Sequence, residues 1–167
     1  QKIVNEHDLF LLSDEVYRGA ELSGIESPSV YTGRKKDIVN SGLSKAYRLP
    51  GLRLGWTVTD PDTIWNFWKL HDFTTISIGI VSDFIASRVL QPTRRKKLLG
   101  STTEFLNTNL EILTNWIQNQ DNLFSLIAPE AAAIAFPSYI LEISSVDLIT
   151  KLRDEKSVLI MPGDWFG

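Results

Sequence analysis

The chain has 167 residues, of which 43% are hydrophobic, so it can bury a substantial core as one domain or as one domain with part of another. Its formal net charge of −3 argues against a general attraction for nucleic acid or for acidic membranes. The sequence contains no cysteine, and its two histidines, His7 and His71, are too few for a histidine-rich metal site. No apolar stretch approaches the roughly 18 residues of a membrane-spanning helix, so we expect a cytoplasmic protein with no membrane, nucleic-acid or metal partner.

The first third of the chain predicts three strands before any long helix. The segment DLFLLSD contains a continuous apolar run, Leu9 to Leu12, which is typical of a strand buried on both faces in a parallel sheet. Asp14 would then lie at or near the carboxyl end of that strand. KDIVNSGLSK has a shorter apolar core and LRLGWTVT is rich in β-branched and aromatic residues, and both segments predict further strands.

The middle of the chain predicts helices. After TDPDT, where Asp60 or Asp62 can cap a helix and Pro61 can open it, IWNFWKLHDF predicts a packed aromatic face that includes His71. SIGIVSDFIASRVLQ continues the helical pattern. From RRKKLLG to NWIQNQDN the pattern predicts one long helix or two nearly collinear ones, with Gly100 as a weak point. The basic run RRKK, residues 94–97, is interpreted as a solvated helix start rather than an anion site.

The last part of the chain changes character. LFSLIAP and AAIAFPSYILEI predict short strands, SSVDLITKLRDEKS predicts a capped amphipathic helix, and VLIMPG predicts a final strand. We therefore expect a second, smaller α/β unit to begin near Asn119, which divides the chain into domains at residues 1–118 and 119–167.

Two segments carry a resemblance to a known family. SDEVYRG, followed by SGLSKAYRLPGLRLGW, resembles the signature of the class I and II aminotransferases, which are fold type I enzymes that use pyridoxal phosphate. TTIS, APEAAAIAFP and MPGDWFG resemble the order of segments in the same family. The resemblance implies an α/β fold: part of the large cofactor-binding domain, with a mixed, mostly parallel sheet and helices, and part of the small C-terminal α/β domain. It also implies a homodimer.

The resemblance assigns a role to each of four side chains. Lys45 resembles the lysine that forms a Schiff base with the cofactor aldehyde and then acts as the catalytic general base. Asp14 resembles the carboxylate that pairs with the pyridine nitrogen, which keeps the ring an electron sink. Tyr17 resembles the tyrosine that hydrogen-bonds the ring hydroxyl oxygen. Arg53 resembles the arginine that binds the cofactor phosphate, because a guanidinium can donate two parallel hydrogen bonds to it.

The serines near Lys45 are less specific. Ser44 and Ser41 are candidate hydrogen-bond donors to the loop backbone or to the phosphate. Many members of the family have a serine three residues before the lysine, whereas this chain has Gly42. Phosphate binding is therefore expected to depend more on Arg53, or on Ser41.

Several parts that the family needs are not found among these residues. By the resemblance, the glycine-rich phosphate turn, the residue that stacks on the cofactor ring and an asparagine at the ring hydroxyl precede this segment, and the arginine that binds the substrate carboxylate follows it. We therefore expect the chain alone to be an incomplete and inactive fragment.

The interpretation that follows is a pyridoxal-phosphate-dependent aminotransferase that acts on an amino acid and a 2-oxo acid. Two alternatives remain. The same residues serve related lyases and synthases, because the cofactor provides the electron sink while the pocket determines which bond breaks. Aminotransferase-like domains also act as effector sensors in some transcription regulators.

Overall fold

The computed structural model describes all 167 residues. They form five α-helices and five strands, joined by loops and turns. In chain order they are α1 (Lys2–Glu6), β1 (Leu11–Asp14), β2 (Asp37–Gly42), β3 (Gly55–Val58), α2 (Pro61–His71), α3 (Ile80–Val89), α4 (Pro92–Gln118), β4 (Phe124–Ser125), β5 (Ser138–Tyr139) and α5 (Ser145–Lys156). Short 3-10 helices span Pro50–Leu52 and Gly163–Phe166. None of the helices combines the length and the apolar character that a membrane crossing requires. The chain forms two compact units, residues 1–108 with 130–133, and residues 109–129 with 134–167. The predicted domain boundary after residue 118 stays a prediction.

The first unit contains a mixed sheet in the order β1-β2-β3. β1 runs parallel to β2, and Asp14 pairs with Asn40 at the end of the register. β3 runs antiparallel to β2, with Gly42 opposite Gly55. The three predicted strands are thereby confirmed, and so is the mixed sheet.

Glycine is required where β2 and β3 approach most closely. A Cβ atom on Gly55 would lie 2.8 Å from the carbonyl oxygen of Ser41, which is closer than real Cβ atoms come. A Cβ atom on Gly42 would lie 3.1 Å from the carbonyl oxygen of Leu54. The glycine at position 42 therefore has a local packing reason.

The prediction that β1 is buried on both faces is wrong. Leu12 is 68% exposed, and Phe10, just before the strand, is 64% exposed. The side chains of β1 alternate between half-buried, at Leu11 and Ser13, and exposed, at Leu12 and Asp14, so one face of the strand is partly covered and the other is open to solvent. The apolar run predicted the strand correctly but not its surroundings.

The α2 helix begins where the sequence predicts. The side chain of Asp60 accepts hydrogen bonds from the backbone N–H groups of Asp62 and Thr63, and Pro61 occupies the first helical turn. The predicted packing of its aromatic face is wrong, since Trp68 is 55% exposed and lines an open cavity of about 470 Å³ against β2 and β3. His71 stacks on Trp68, with 6.0 Å between the ring centres.

The core of the first unit lies between the β2–β3 connection and the helices α3 and α4. Its buried side chains include Ala20, Leu43, Ala46, Tyr47, Leu54, Ala86, Leu99 and Leu106. The predicted helices α3 and α4 are confirmed, and α4 runs through Gly100 as one continuous helix. The connection that carries Lys45 is therefore anchored in the core on both sides of the lysine.

In the second unit, β4 and β5 pair antiparallel, and α5 has the predicted cap, in which the Ser144 hydroxyl accepts from the Asp147 N–H at 3.1 Å. The predicted final strand at residues 158–163 is wrong. The N–H of Val158 instead bonds the carbonyl of Leu152 to close the end of α5, where Ser157 has a φ of 55°. The first N–H of the predicted strand is thus used by the helix.

Candidate active site at the sheet edge

The sheet topology brings four predicted site residues to one edge. Asp14 is the last residue of β1, and Lys45 follows the end of the parallel strand β2 at Gly42. Arg53 lies two residues before the start of the antiparallel strand β3. Because the carboxyl ends of β1 and β2 and the amino end of β3 coincide, these residues and Tyr17 lie at the same edge of the sheet.

Lys45 lies in a connection that has buried residues on both sides of it. Leu43 and Ala46 are fully buried and Tyr47 is 4% exposed, whereas Lys45 is exposed. The backbone N–H of Ala46 reaches the carbonyl of Val16 at 3.4 Å, which joins this connection to the loop after β1. Core packing on both sides thus directs the lysine side chain away from the protein interior.

Lys45 and Tyr17 are brought directly together. The Lys45 Nζ atom lies 5.9 Å from the centre of the Tyr17 ring, within the range of a cation–π interaction. Tyr17 is half-buried in the loop that follows β1. A phenol and an amine therefore face each other at the sheet edge.

Asp14 and Arg53 lie at the same edge without contacting Lys45. The exposed carboxylate of Asp14 accepts a hydrogen bond of 3.0 Å from the backbone N–H of Val16. The exposed guanidinium of Arg53 donates to the carbonyl of Pro50 at 3.1 Å, and Arg53 has a left-handed backbone with a φ of 51°. Neither side chain forms an ion pair, so both charges are available to a ligand.

The two serines differ in their contacts. The Ser41 hydroxyl donates to the carbonyl of Glu15 at 3.2 Å, so it serves the loop backbone. Ser44 is half-buried and forms no side-chain hydrogen bond. Of the two hydroxyl groups, the one on Ser44 is therefore the more available to a phosphate.

Sequence reasoning missed a polar cluster of Arg95, Glu26 and Tyr47, which lies next to the connection that carries Lys45. Arg95, in the run interpreted as solvated, is half-buried and donates two hydrogen bonds to the Glu26 carboxylate, at 2.8 and 2.6 Å. Its Nε also donates to the Tyr47 hydroxyl at 2.8 Å. The hydrogen bonds and charge of Arg95 hold the pKa of Glu26 below its usual range. No sequence signal connects Glu26 to Arg95, because they are 69 residues apart.

The comparison with known proteins identifies the family. The family model described as aminotransferase class I and II matches residues 1–167. The chain belongs to the class I and II aminotransferases. Within this family, an asparagine–oxo-acid transaminase from Streptococcus mutans is 27% identical over 97% of the chain and 43% of its own length. A capreomycidine synthase from Streptomyces vinaceus is 27% identical over 75% of the chain and 32% of its own length.

The fold agrees with that family. The crystal structure of a pyridoxal-phosphate-dependent aminotransferase from Streptococcus suis has a TM-score of 0.88 and 32% identity, and the match covers 99% of this chain and 43% of that one. This chain therefore has part of the fold type I architecture, as predicted, and spans about two fifths of the length of that aminotransferase.

The side chains at the sheet edge match pyridoxal phosphate in their chemistry. The cofactor has an aldehyde, a pyridine nitrogen, a ring hydroxyl and a phosphate, and this edge offers an amine, a carboxylate, a phenol and a guanidinium. The charged groups among them, on Lys45, Asp14 and Arg53, form no ion pairs with one another. The residues present thus fit the cofactor of the family.

Proposed function

We propose that the protein that carries this chain is a pyridoxal-phosphate-dependent aminotransferase, which moves an amino group between an amino acid and a 2-oxo acid. The observation that carries the proposal is the exposed Lys45 amine, held between buried residues and opposite the Tyr17 ring. Family membership over residues 1–167 supports the same conclusion.

Bound pyridoxal phosphate supplies an aldehyde that captures amines and a ring that accepts the electron pair released at the substrate α-carbon. The amine of Lys45 would hold the cofactor through its aldehyde carbon. When that amine is free, Lys45 Nζ would take the proton from the substrate α-carbon and deliver it to the carbon that carried the aldehyde. One side chain thus both anchors the cofactor and moves the proton.

The other residues bind and tune the cofactor. Asp14 would hold a proton at the pyridine nitrogen through its carboxylate. Tyr17 would donate its hydroxyl hydrogen to the ring oxygen. Arg53 would bind the phosphate with charge-assisted hydrogen bonds, and the unpaired hydroxyl of Ser44 would add a donor.

A second candidate is a related lyase or synthase that uses the same cofactor. The similarity to the relative named capreomycidine synthase favours this candidate, because that protein is 27% identical to this chain over 75% of its residues. The residues at the sheet edge suit either chemistry, since they serve the cofactor rather than the bond that is broken.

A cytoplasmic homodimer is the form that we propose for the complete protein. The exposed aromatic side chains of α2, such as Trp65 at 60% and Trp68 at 55%, support burial against further protein. Sedimentation of the complete protein tests the dimer, and cell fractionation tests the location.

A screen of amino donors against 2-oxo acids tests the reaction itself. In the complete protein, we expect a 2-oxo acid product from the donor and a matching amino acid product from the acceptor. Lys45→Ala should abolish both products, whereas Lys151→Ala, at an exposed position of α5, should leave them unchanged. Ammonia or a cleaved side chain in place of the second amino acid would instead support the lyase alternative.

A further inference from the structure

The carboxylate of Glu26 joins the loop that carries Tyr17 to the connection that carries Lys45. The Glu26 Oε1 atom lies 3.1 Å from Arg18 Nη1 and 2.6 Å from Arg95 Nη2. Arg18 directly follows Tyr17 in the chain. Arg95 binds the hydroxyl of Tyr47, two residues after Lys45. We call the four residues Arg18, Glu26, Arg95 and Tyr47 the Glu26 bridge.

The geometry of the Glu26 bridge is that of a strong, shielded interaction. Arg95 binds both oxygens of the carboxylate in the bidentate arrangement that gives arginine–carboxylate pairs their strength and direction. The three charged side chains are between 27% and 36% exposed, so salt screens them less than it screens surface ion pairs. Tyr47 is 4% exposed, so its hydroxyl is fixed within the core.

The Glu26 bridge connects segments that are distant in the chain. The Arg18 Nε atom also donates to the carbonyl of Ser27 at 2.7 Å, which ties the loop after β1 to the segment that carries Glu26. On the other side, the Arg95 guanidinium lies 5.7 Å from the centre of the Tyr47 ring. Tyr17 and Lys45 thus each sit within two residues of one end of the same bridge.

We propose that Glu26 is a positioning residue that sets the approach of Tyr17 to Lys45 by linking Arg18 to Arg95 and Tyr47. The inference rests on the proposed function, because the purpose of this positioning is to present the Lys45 amine and the Tyr17 phenol together to pyridoxal phosphate. The Glu26 carboxylate bonds Arg18 and Arg95 and forms no hydrogen bond or ion pair with Tyr17 or Lys45. It acts through the two loops.

The test measures how fast an amine-reactive reagent labels Lys45 in the complete, cofactor-free protein. Formaldehyde with borohydride at one fixed pH provides the label, and peptide mass spectrometry reads Lys45 separately from the other lysines. The contact with the Tyr17 ring holds the Lys45 amine and shields it from the reagent, so Tyr17→Leu should raise the labelling rate about two- to fivefold. Glu26→Gln should raise it in the same direction, because the ring is no longer held in place.

The decisive comparison is the double variant. If Glu26 acts by holding Tyr17 against Lys45, Glu26→Gln has no further effect in the Tyr17→Leu background. If Glu26→Gln accelerates labelling equally in the wild-type and Tyr17→Leu backgrounds, it loosens the structure without acting through Tyr17, and the proposal is overturned. An unchanged labelling rate in the single Glu26→Gln variant also overturns it. Glu104→Gln, an exposed carboxylate on α4, is the matched control and should label at the wild-type rate.

A second variant covers the case in which Glu26→Gln does not fold. Tyr47→Phe removes only the hydroxyl that Arg95 binds, and it should show the same dependence on Tyr17. Labelling in the cofactor-free protein is independent of the proposed function. A wild-type protein that binds no pyridoxal phosphate at Lys45 would contradict the proposed function, while the labelling rates would still decide the role of Glu26.

Discussion

The Thr102 hydroxyl of α4 lies 3.0 Å from the carbonyl oxygen of Ala46 and shares its one hydrogen between that oxygen and the carbonyl of Leu98 at 3.1 Å, and Thr102 and Ala46 are both buried. The contact holds the carbonyl group of the residue directly after Lys45. It is one of several contacts from α4 to this connection, since Arg95 binds Tyr47 and Ser101 accepts from Arg48 at 2.9 Å. The helix therefore holds three successive residues after the proposed catalytic lysine.

Thr102→Val should destabilise the complete protein by about 1–3 kcal/mol, because it preserves the side-chain shape and leaves the buried Ala46 carbonyl without its partner. Urea denaturation measures the change. Thr108→Val is the matched control, since the Thr108 hydroxyl bonds only a carbonyl of its own helix at an exposed position, and its effect should stay within about 0.5 kcal/mol. Equal effects at the two positions would contradict the account of Thr102.

Gly55→Ala should be more damaging than Gly51→Ala. The added methyl group at position 55 meets the Ser41 carbonyl at 2.8 Å, whereas nothing lies within 4 Å of one at position 51. Overpacking of this kind costs about 1–3 kcal/mol. Thermal unfolding of both variants measures the difference, and similar melting temperatures would show that β2 and β3 can separate without cost.

Asp37 should make stability depend on acid pH. It is fully buried, and hydrogen bonds from Thr32, together with Arg34 at 3.0 Å, hold its pKa below the usual range despite burial. A lowered pKa in the folded state adds stability above the ordinary aspartate pKa of about 3.9. That stability should be lost as the pH falls from there through the lowered pKa of the folded protein.

Asp37→Asn isolates this contribution. We expect it to reduce stability near neutral pH by about 1.5–3 kcal/mol, the scale of one hydrogen bond to a charged group, and to flatten the acid dependence. Asp62→Asn is the control, since that carboxylate is 87% exposed and pairs weakly with Lys35 at 3.8 Å. An unaltered acid dependence in Asp37→Asn would assign the titration to other carboxylates.

Arg53→Gln should weaken the affinity for pyridoxal phosphate about tenfold or more, because a charge-assisted hydrogen bond contributes about 1.5–3 kcal/mol. Arg94→Gln, on the exposed side of the α4 start, is the matched control and should bind the cofactor normally. Equilibrium titration of the cofactor-free protein gives both dissociation constants. Equal constants would remove Arg53 from the phosphate site.

Local patterns in the sequence predicted most elements of the fold. The capped starts of α2 and α5 and the alternation of strand residues are set by neighbouring residues, so they could be inferred directly. The failures depend on distant partners. Leu12 is exposed because it lies on the face of β1 that no helix covers, and the N–H of Val158, the first residue of the predicted final strand, bonds the end of α5 instead.

In the candidate site, too, the residues that are close in sequence were predicted and a contact between distant residues was not. The resemblance of SGLSKAYRLPGLRLGW to the family signature predicted the cofactor-binding residues around Lys45, because that signature is a single short stretch of sequence. Arg95 and Glu26 were missed, because their contact joins positions 69 residues apart and a run of basic residues usually indicates a solvated helix start.

The central claim is that Lys45 is the residue that binds pyridoxal phosphate. The most direct measurement is borohydride reduction of the complete protein loaded with the cofactor, followed by peptide mapping with mass spectrometry. The account predicts a pyridoxyl group on Lys45 and on no other lysine, and no stable label in Lys45→Ala. A label on another lysine, or an unlabelled protein that still transfers amino groups, would contradict it.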